Sequence, residues 1–243
     1  MKYHYVKTGN HKTFMAAVAG VESGAAREAR IILLAGEPGT GKSRCVDNFG
    51  AERKAIYIEG LPGMTMAYIR DLLAYELQVG DLKGFRLQKA INEAMDARRQ
   101  PIILDEAQHG LNNKAVVIEY LRRVTEQVGS MLILVCHTSE KHRFSEHKLA
   151  HIATRISALV DFTPASLEDT ALYLCELCEV SVDEAIVRQA FNESRGRYRL
   201  LSSACMSLEV LAKHLGKTVL SASDVKGLTL CEDAMRSLRK GAA

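Results

Sequence analysis

Eight consecutive residues, Gly36-Glu37-Pro38-Gly39-Thr40-Gly41-Lys42-Ser43, combine three glycines, a lysine and a hydroxyl at the spacing GxxxxGK[ST]. Glycines let a loop fold back so that successive N–H groups converge as an anion nest. A helix starting there adds the positive end of its dipole. Lys42 then reaches the β- and γ-phosphates of a bound nucleotide, and Ser43 offers its hydroxyl to Mg²⁺. The preceding Ile31-Ile-Leu-Leu-Ala35 reads as a buried strand and the next residues as a helix, which is the context the spacing requires. The expected nucleotide contacts are Gly36 through Ser43 with Arg44, and the expected ligand is ATP with Mg²⁺.

A second chemical element lies about sixty residues on, in Ile102-Ile-Leu-Asp105-Glu106. An apolar strand ending in two carboxylates suits a site beside the phosphate loop. Asp105 is expected to hold Mg²⁺ through water. Glu106 is expected to orient and deprotonate the attacking water as a general base, which favours hydrolysis over nucleotide binding alone.

The elements that must position these groups emerge from periodicity. Strands are expected at Ile31–Ala35, Ala55–Glu59, Pro101–Asp105, Met131–Cys136 and Ala158–Phe162, alternating with helical stretches as in a parallel sheet flanked by helices. The clearest helix is Asn112–Val128, with Val117, Tyr120, Leu121 and Val124 on one face and Asn112 as N-cap. After Pro164 the strand signals stop, and Ser166–Cys178, Val182–Glu193 and Tyr198–Leu215 read as helices, with Gly216 ending the last. A final helix is expected after Ser221. The expected organisation is an α/β nucleotide-binding domain over 1–163, with a lead-in helix in 1–30, and a small all-helical domain over 164–243.

Composition is that of an ordinary globular chain: 243 residues, 47% hydrophobic and 25% charged, with net charge +3. No apolar run approaches the roughly 18 residues that cross a bilayer. The N-terminal residues carry no secretory h-region, so a cytoplasmic protein without membrane contact is expected. The six cysteines lie in apolar stretches and read as buried free thiols. Cys175 and Cys178 form a CxxC on an amphipathic helix, without the second pair or His partner that a zinc site needs.

The phosphate loop and the acidic strand, together with the residues downstream of them, resemble the AAA+ ATPases from about residue 11 to 240. That resemblance implies a five-stranded parallel sheet, a helical lid and further site residues. At the end of the fourth strand, where the family places a polar sensor, stand His137 and Thr138, and either can serve. His151-Ile-Ala-Thr-Arg155 resembles the arginine-finger segment, implying that Arg155 reaches the γ-phosphate of a neighbouring subunit. Gly196-Arg-Tyr-Arg199 resembles the second sensor, implying that Arg199 touches the γ-phosphate from the helical domain. Lys42, Glu106, Arg155, Arg199 and His137 are thus the implied catalytic set.

Within the family, the Gly-Glu-Pro-Gly-Thr-Gly-Lys-Ser and Leu-Asp-Glu-Ala-Gln108-His109 segments resemble the DNA-transposition ATPases of the Mu phage B, TnsC and IstB type. The resemblance implies ATP-dependent self-association into a filament or ring on duplex DNA, target selection and recruitment of a transposase. The chain departs from the Mu phage B protein in lacking an N-terminal helix-turn-helix region, so DNA contacts are expected from the ATPase domain itself. The matching region carries Thr65, Lys83, Arg86, Arg98 and Arg99, able to neutralise phosphates without reading sequence. Two other functions share the motifs: a replication initiator or helicase loader, and an ATPase acting on protein partners in secretion or signalling.

Overall fold

The structure is a computed structural model that describes residues 1–24, 30–146 and 149–231. Helix α1 (Gly9–Ser23) leads into strand β1 (Ile31–Gly36), and helix α2 (Lys42–Arg53) comes after the phosphate loop. Then come β2 (Ile56–Glu59), α3 (Met66–Leu77), α4 (Gly84–Arg98), β3 (Ile102–Asp105), α5 (Asn112–Val128), β4 (Leu132–His137), the short α6 (Ala150–Ala153) and β5 (Ile156–Phe162). The chain continues through α7 (Leu167–Leu177), β6 (Ser181–Val182), α8 (Glu184–Ser194), α9 (Tyr198–Leu215) and β7 (Val219–Leu220).

Two compact units result. One comprises Thr13–Glu37 and Lys42–Phe162; the other comprises Met1–Lys12, Pro38–Gly41 and the chain from Thr163 onward. The first unit is built on an all-parallel sheet in the order β2-β3-β4-β1-β5. Continuous apolar strands are what a parallel sheet covered on both faces selects, and every residue of β1 and β3 is buried. On one face, Leu33, Ile58, Leu104 and Leu134 pack with Ile69, Leu73, Ile91 and Leu121 of α3, α4 and α5. Elsewhere in the unit, Phe14 of α1 meets Phe49 of α2 edge to face, with ring centroids 5.4 Å apart. Because β1 lies inside the sheet, between β4 and β5, the turn at its carboxyl end opens at the kind of crevice where such sheets hold ligands.

The second unit buries Leu174, Leu177, Ile186, Leu201, Cys205 and Leu208 together with Val6 from the N-terminal segment. Ser166 caps α7 through a reciprocal capping box with Asp169, and Asp183 caps α8. Gly216, at φ +66°, ends α9 in the left-handed conformation.

The expected elements correspond to the observed ones, with some differences of detail. Strand β5 begins at Ile156, two residues before the apolar run suggested. A two-residue parallel pair, β6 with β7, interrupts the helices of the second unit. Asn112 does not act as the N-cap of α5: Asn113, Lys114 and Ala115 all have positive φ, so regular helical geometry starts only after them. Cys175 is exposed and the other five thiols are buried. From Ala222 to Cys231 the chain forms turns and not a helix. The rest of the final helix expected after Ser221 lies outside the described residues, as does the end of the lead-in segment. No described helix is long and apolar enough to cross a membrane.

Candidate functional site

In the first unit, β1 ends at Gly36, in register with His137 of β4 and Phe162 of β5. Lys42 opens α2 and turns back, so that its Nζ donates to the Gly36 carbonyl at 2.7 Å and to the Glu37 carbonyl at 3.1 Å. Its ammonium thus spans the mouth of the loop. Burial lowers the Lys42 pKa, and Asp105 and Glu106 oppose that by favouring the charged form. The Cys136 thiol, close enough to feel Lys42, is pushed up to about 12 by burial, which makes it an inert neighbour. Ser43 and Arg44 are exposed on the first turn of α2.

The loop apex, Pro38–Gly41, clusters with the second unit. Gly39 and Gly41 both have φ +85°, a conformation that excludes ordinary side chains there. The N–H of Tyr198, at the start of α9, donates to the Gly39 carbonyl at 2.9 Å. A Cβ on Gly41 would lie 3.3 Å from the Tyr198 ring, so this turn is packed as well as bonded. From the N-terminal segment, buried Asn10 donates to the carbonyls of Thr40 (3.3 Å) and Thr163 (2.8 Å). Gly196 (φ +71°) turns the chain into α9, and a Cβ there would lie 2.6 Å from the Ala165 carbonyl oxygen. Arg199 is exposed on the first turn of α9. Residues around the loop apex are therefore Arg197 and Tyr198, neighbours of the arginine that the motif singles out.

Strand β3 delivers the carboxylates. Asp105 is 5% exposed, and each of its oxygens is engaged: Oδ2 accepts from the Tyr57 hydroxyl at 2.7 Å and Oδ1 from the Glu106 N–H at 2.8 Å. Burial, then the bond to Asp105, pushes the Tyr57 phenol above its ordinary range, so it stays a donor. Burial and the charge of Asp105 likewise raise the Asp47 carboxyl on α2. Glu106 is exposed and sits at φ +49°, ψ +43°, with Gln108 Nε2 donating to its carboxylate. Left-handed backbone in a non-glycine residue is costly and clusters at functional sites. Gly60, beyond β2, donates to the Asp105 carbonyl at 2.8 Å; a Cβ on it would lie 2.4 Å from the Glu106 carbonyl oxygen.

A hydroxyl on Ser43 and a carboxylate on Asp105 are hard oxygen donors that suit Mg²⁺, which takes one or two protein oxygens and fills the rest of its shell with water and phosphate. No group of three or more His, Cys, Asp or Glu residues among the described residues could form an all-protein cage. The donor set fits the smaller demand.

His137 ends β4 with its Nδ1 2.7 Å from the Ser139 hydroxyl and accepting from the Ser139 N–H at 3.1 Å, while Thr138 is exposed. Arg155 lies between α6 and β5 and donates to Glu126 at 3.3 Å. Glu126 also binds Arg122, which pairs with Glu119. The basic residues between β2 and β3 do not form one cluster. Lys83 and Arg86 stand at the start of α4 and Arg98 and Arg99 at its end, about 20 Å apart along a helix of this length. Arg98 also donates to the Leu77 carbonyl, Arg99 lies 3.7 Å from Asp96, and the Thr65 hydroxyl caps α3.

Tyr57, Gly60, Asn10 and Tyr198 escape motif reading. Alternation along β2, which puts Tyr57 and Glu59 on one face beside the acidic end of β3, is the one local signal for Tyr57.

Residues 25–144 match the family described as AAA domain. No curated protein sequence matches the chain. Among solved structures it is similar to Cdc6p from Pyrobaculum aerophilum, at 16% identity and TM-score 0.62, over 92% of this chain and 68% of that one. It is similar to the ORC2 protein of Aeropyrum pernix in its ADPNP–ADP complexes, at 14% identity and TM-score 0.64, over 93% and 69%. It is also similar to the RuvB Holliday junction branch migration motor of Thermotoga maritima, at 16% identity and TM-score 0.57, over 90% and 68%. At such identities the likeness establishes the fold, the α/β P-loop AAA fold with its five-stranded parallel sheet.

Proposed function

We propose that this chain, which carries an AAA-type P-loop ATPase domain, binds and hydrolyses ATP as an assembly on duplex DNA, selecting a transposition target and recruiting a transposase. The observation that carries the ATPase part is the Lys42 ammonium folded back onto the Gly36 and Glu37 carbonyls at 2.7 and 3.1 Å, in the same unit as the buried Asp105 carboxylate that ends β3. A lysine on a phosphate loop and two carboxylates at the end of a nearby strand are the groups phosphoryl transfer uses. Lys42 and the loop N–H groups would hold the phosphates, Ser43 and Asp105 the Mg²⁺, and Glu106 would take the proton of the attacking water. When bound, Mg²⁺ would supply charge neutralisation at the phosphate oxygens. The adenine nucleotide is carried over from the fold likeness to ORC2 in its ADPNP–ADP complexes.

Arg155, Arg199 and His137 enter as the trans finger and the two sensors implied by the family resemblance. DNA contact is supported by the same resemblance and by likeness to a Holliday junction motor. Lys83 and Arg86 are the basic pair on which phosphate contact is best placed, since Arg98 and Arg99 have partners within the chain.

The test is binding of labelled duplex DNA in ATP and in ADP across a salt series. The expected outcome is tighter binding in ATP, with log K falling linearly against log salt and the slope shrinking by about 1 for each of Lys83→Ala and Arg86→Ala. Equal affinity in ADP and ATP would overturn ATP-dependent assembly on DNA, and no duplex binding at low salt would leave an ATPase acting on protein partners. A replication initiator or helicase loader would bind duplex equally well but would leave a transposase unstimulated in target-joining assays.

A further inference from the structure

We propose that Tyr57 is a positioning residue for the magnesium-facing carboxylate of Asp105, an inference that rests on the proposed role of Asp105 in holding Mg²⁺. The torsion that turns a carboxylate about its own axis is broad and nearly two-fold, so an aspartate at a strand end does not by itself fix where its lone pairs point. Here two donors fix it. The Glu106 N–H holds Oδ1 at 2.8 Å, and the Tyr57 hydroxyl holds Oδ2 at 2.7 Å from the neighbouring strand. An ionised carboxylate offers about four acceptor directions, so each oxygen keeps one for the water shell of a metal ion.

The two donors differ in kind. The Glu106 N–H is local and set by the backbone at the end of β3. The Tyr57 bond joins residues 48 apart in sequence and depends on the register of β2 on β3, in which Glu59 pairs with Asp105. Tyr57 therefore sits one alternation back on the same face as Glu59. Tyr57 is 37% exposed and outside the buried core, so loss of the hydroxyl leaves core packing in place. Partners that orient a metal ligand typically change metal affinity 10–100-fold when removed. The water-mediated contact expected here places this case at the lower end.

The experiment is a Mg²⁺ titration of fluorescent ADP bound to the full chain, with melting temperature as a folding control. Tyr57→Phe is expected to raise the Mg²⁺ concentration for half-maximal effect about tenfold, with nucleotide affinity in EDTA unchanged. Asp105→Asn is expected to remove the Mg²⁺ response, and adding Tyr57→Phe to it should change nothing further. A Tyr57→Phe titration that overlays the wild type would overturn the inference. So would a shift to lower Mg²⁺, which would mean that the hydroxyl competes with the metal, or a full further shift in the double variant. An Asp105→Asn variant that keeps the wild-type response would instead remove the reading of Asp105 as a magnesium residue.

Discussion

Arg155 donates to one oxygen of Glu126 at 3.3 Å while Arg122 binds the other, so the finger candidate is ion-paired within its own chain. To reach a neighbouring subunit, Arg155 must exchange this partly exposed pair for a phosphate. A surface pair of this kind is worth about 0–1 kcal/mol, so a desolvated charge-assisted contact to phosphate outweighs it. Arg155→Ala is expected to leave ATP affinity unchanged and to lower turnover in the assembly by about 10³-fold or more. Turnover per subunit measured against protein concentration checks this. A curve for the variant that matches the wild type would rule out a trans role.

The Lys42 ammonium closes the phosphate loop through the Gly36 and Glu37 carbonyls. Lys42→Ala is expected to abolish measurable ATP binding, read by fluorescent-nucleotide titration. Retained affinity would refute the placement of the phosphates.

Glu106 combines a proposed chemical role with an unfavourable backbone conformation. Glu106→Gly should relieve the left-handed strain and raise unfolding free energy by about 1 kcal/mol, while hydrolysis is lost. Glu106→Gln should lose hydrolysis without that gain. Denaturant unfolding of the two variants separates backbone strain from carboxylate chemistry.

Gly60 lets the end of β2 approach the Asp105–Glu106 backbone. Gly60→Ala would set a Cβ 2.4 Å from the Glu106 carbonyl oxygen and 2.7 Å from that of Asp105. The expected cost is about 1–3 kcal/mol of stability. Because the displaced atoms carry the acidic pair, kcat should fall more than ATP affinity, which steady-state kinetics beside equilibrium titration will resolve.

The Glu119 carboxyl is held down at about 2 by its hydrogen bonds to Arg122, with a further bond from Arg123. A carboxylate whose folded pKa is depressed contributes stability above its unfolded value, here 4.5, and loses that contribution as pH falls toward 2. Below 4.5 the unfolded chain takes up the proton first, so unfolding is favoured. Glu119→Gln should therefore be less stable than the wild type at pH 7, with the difference shrinking between pH 4.5 and 2. A stability difference independent of pH in this window would show that the network holds no charge-linked stability.

Local pattern determined a good deal by itself. The glycine spacing of Gly36–Ser43, the acidic end of Ile102–Glu106 and the apolar period of Tyr198–Leu215 each lie within one element, where backbone geometry ties neighbours in sequence to neighbours in space. The five strands of the large sheet and helices α5, α7, α8 and α9 were legible for the same reason, whereas the two-residue pair β6 with β7 was not. Tertiary structure alone decided which strand adjoins which, and with it the partners of the site. Tyr57 meets Asp105 because β2 pairs with β3, and Arg155 meets Glu126 across 29 residues because α5 and the segment before β5 pack in one unit. Asn10 reaches the carbonyl of Thr40 for a similar reason, in the other unit. Such contacts arise from strand order and packing of distant segments, which no periodicity within a window encodes. They decide how the carboxylate, the arginine and the loop are held, while the local motif decides only that they are present.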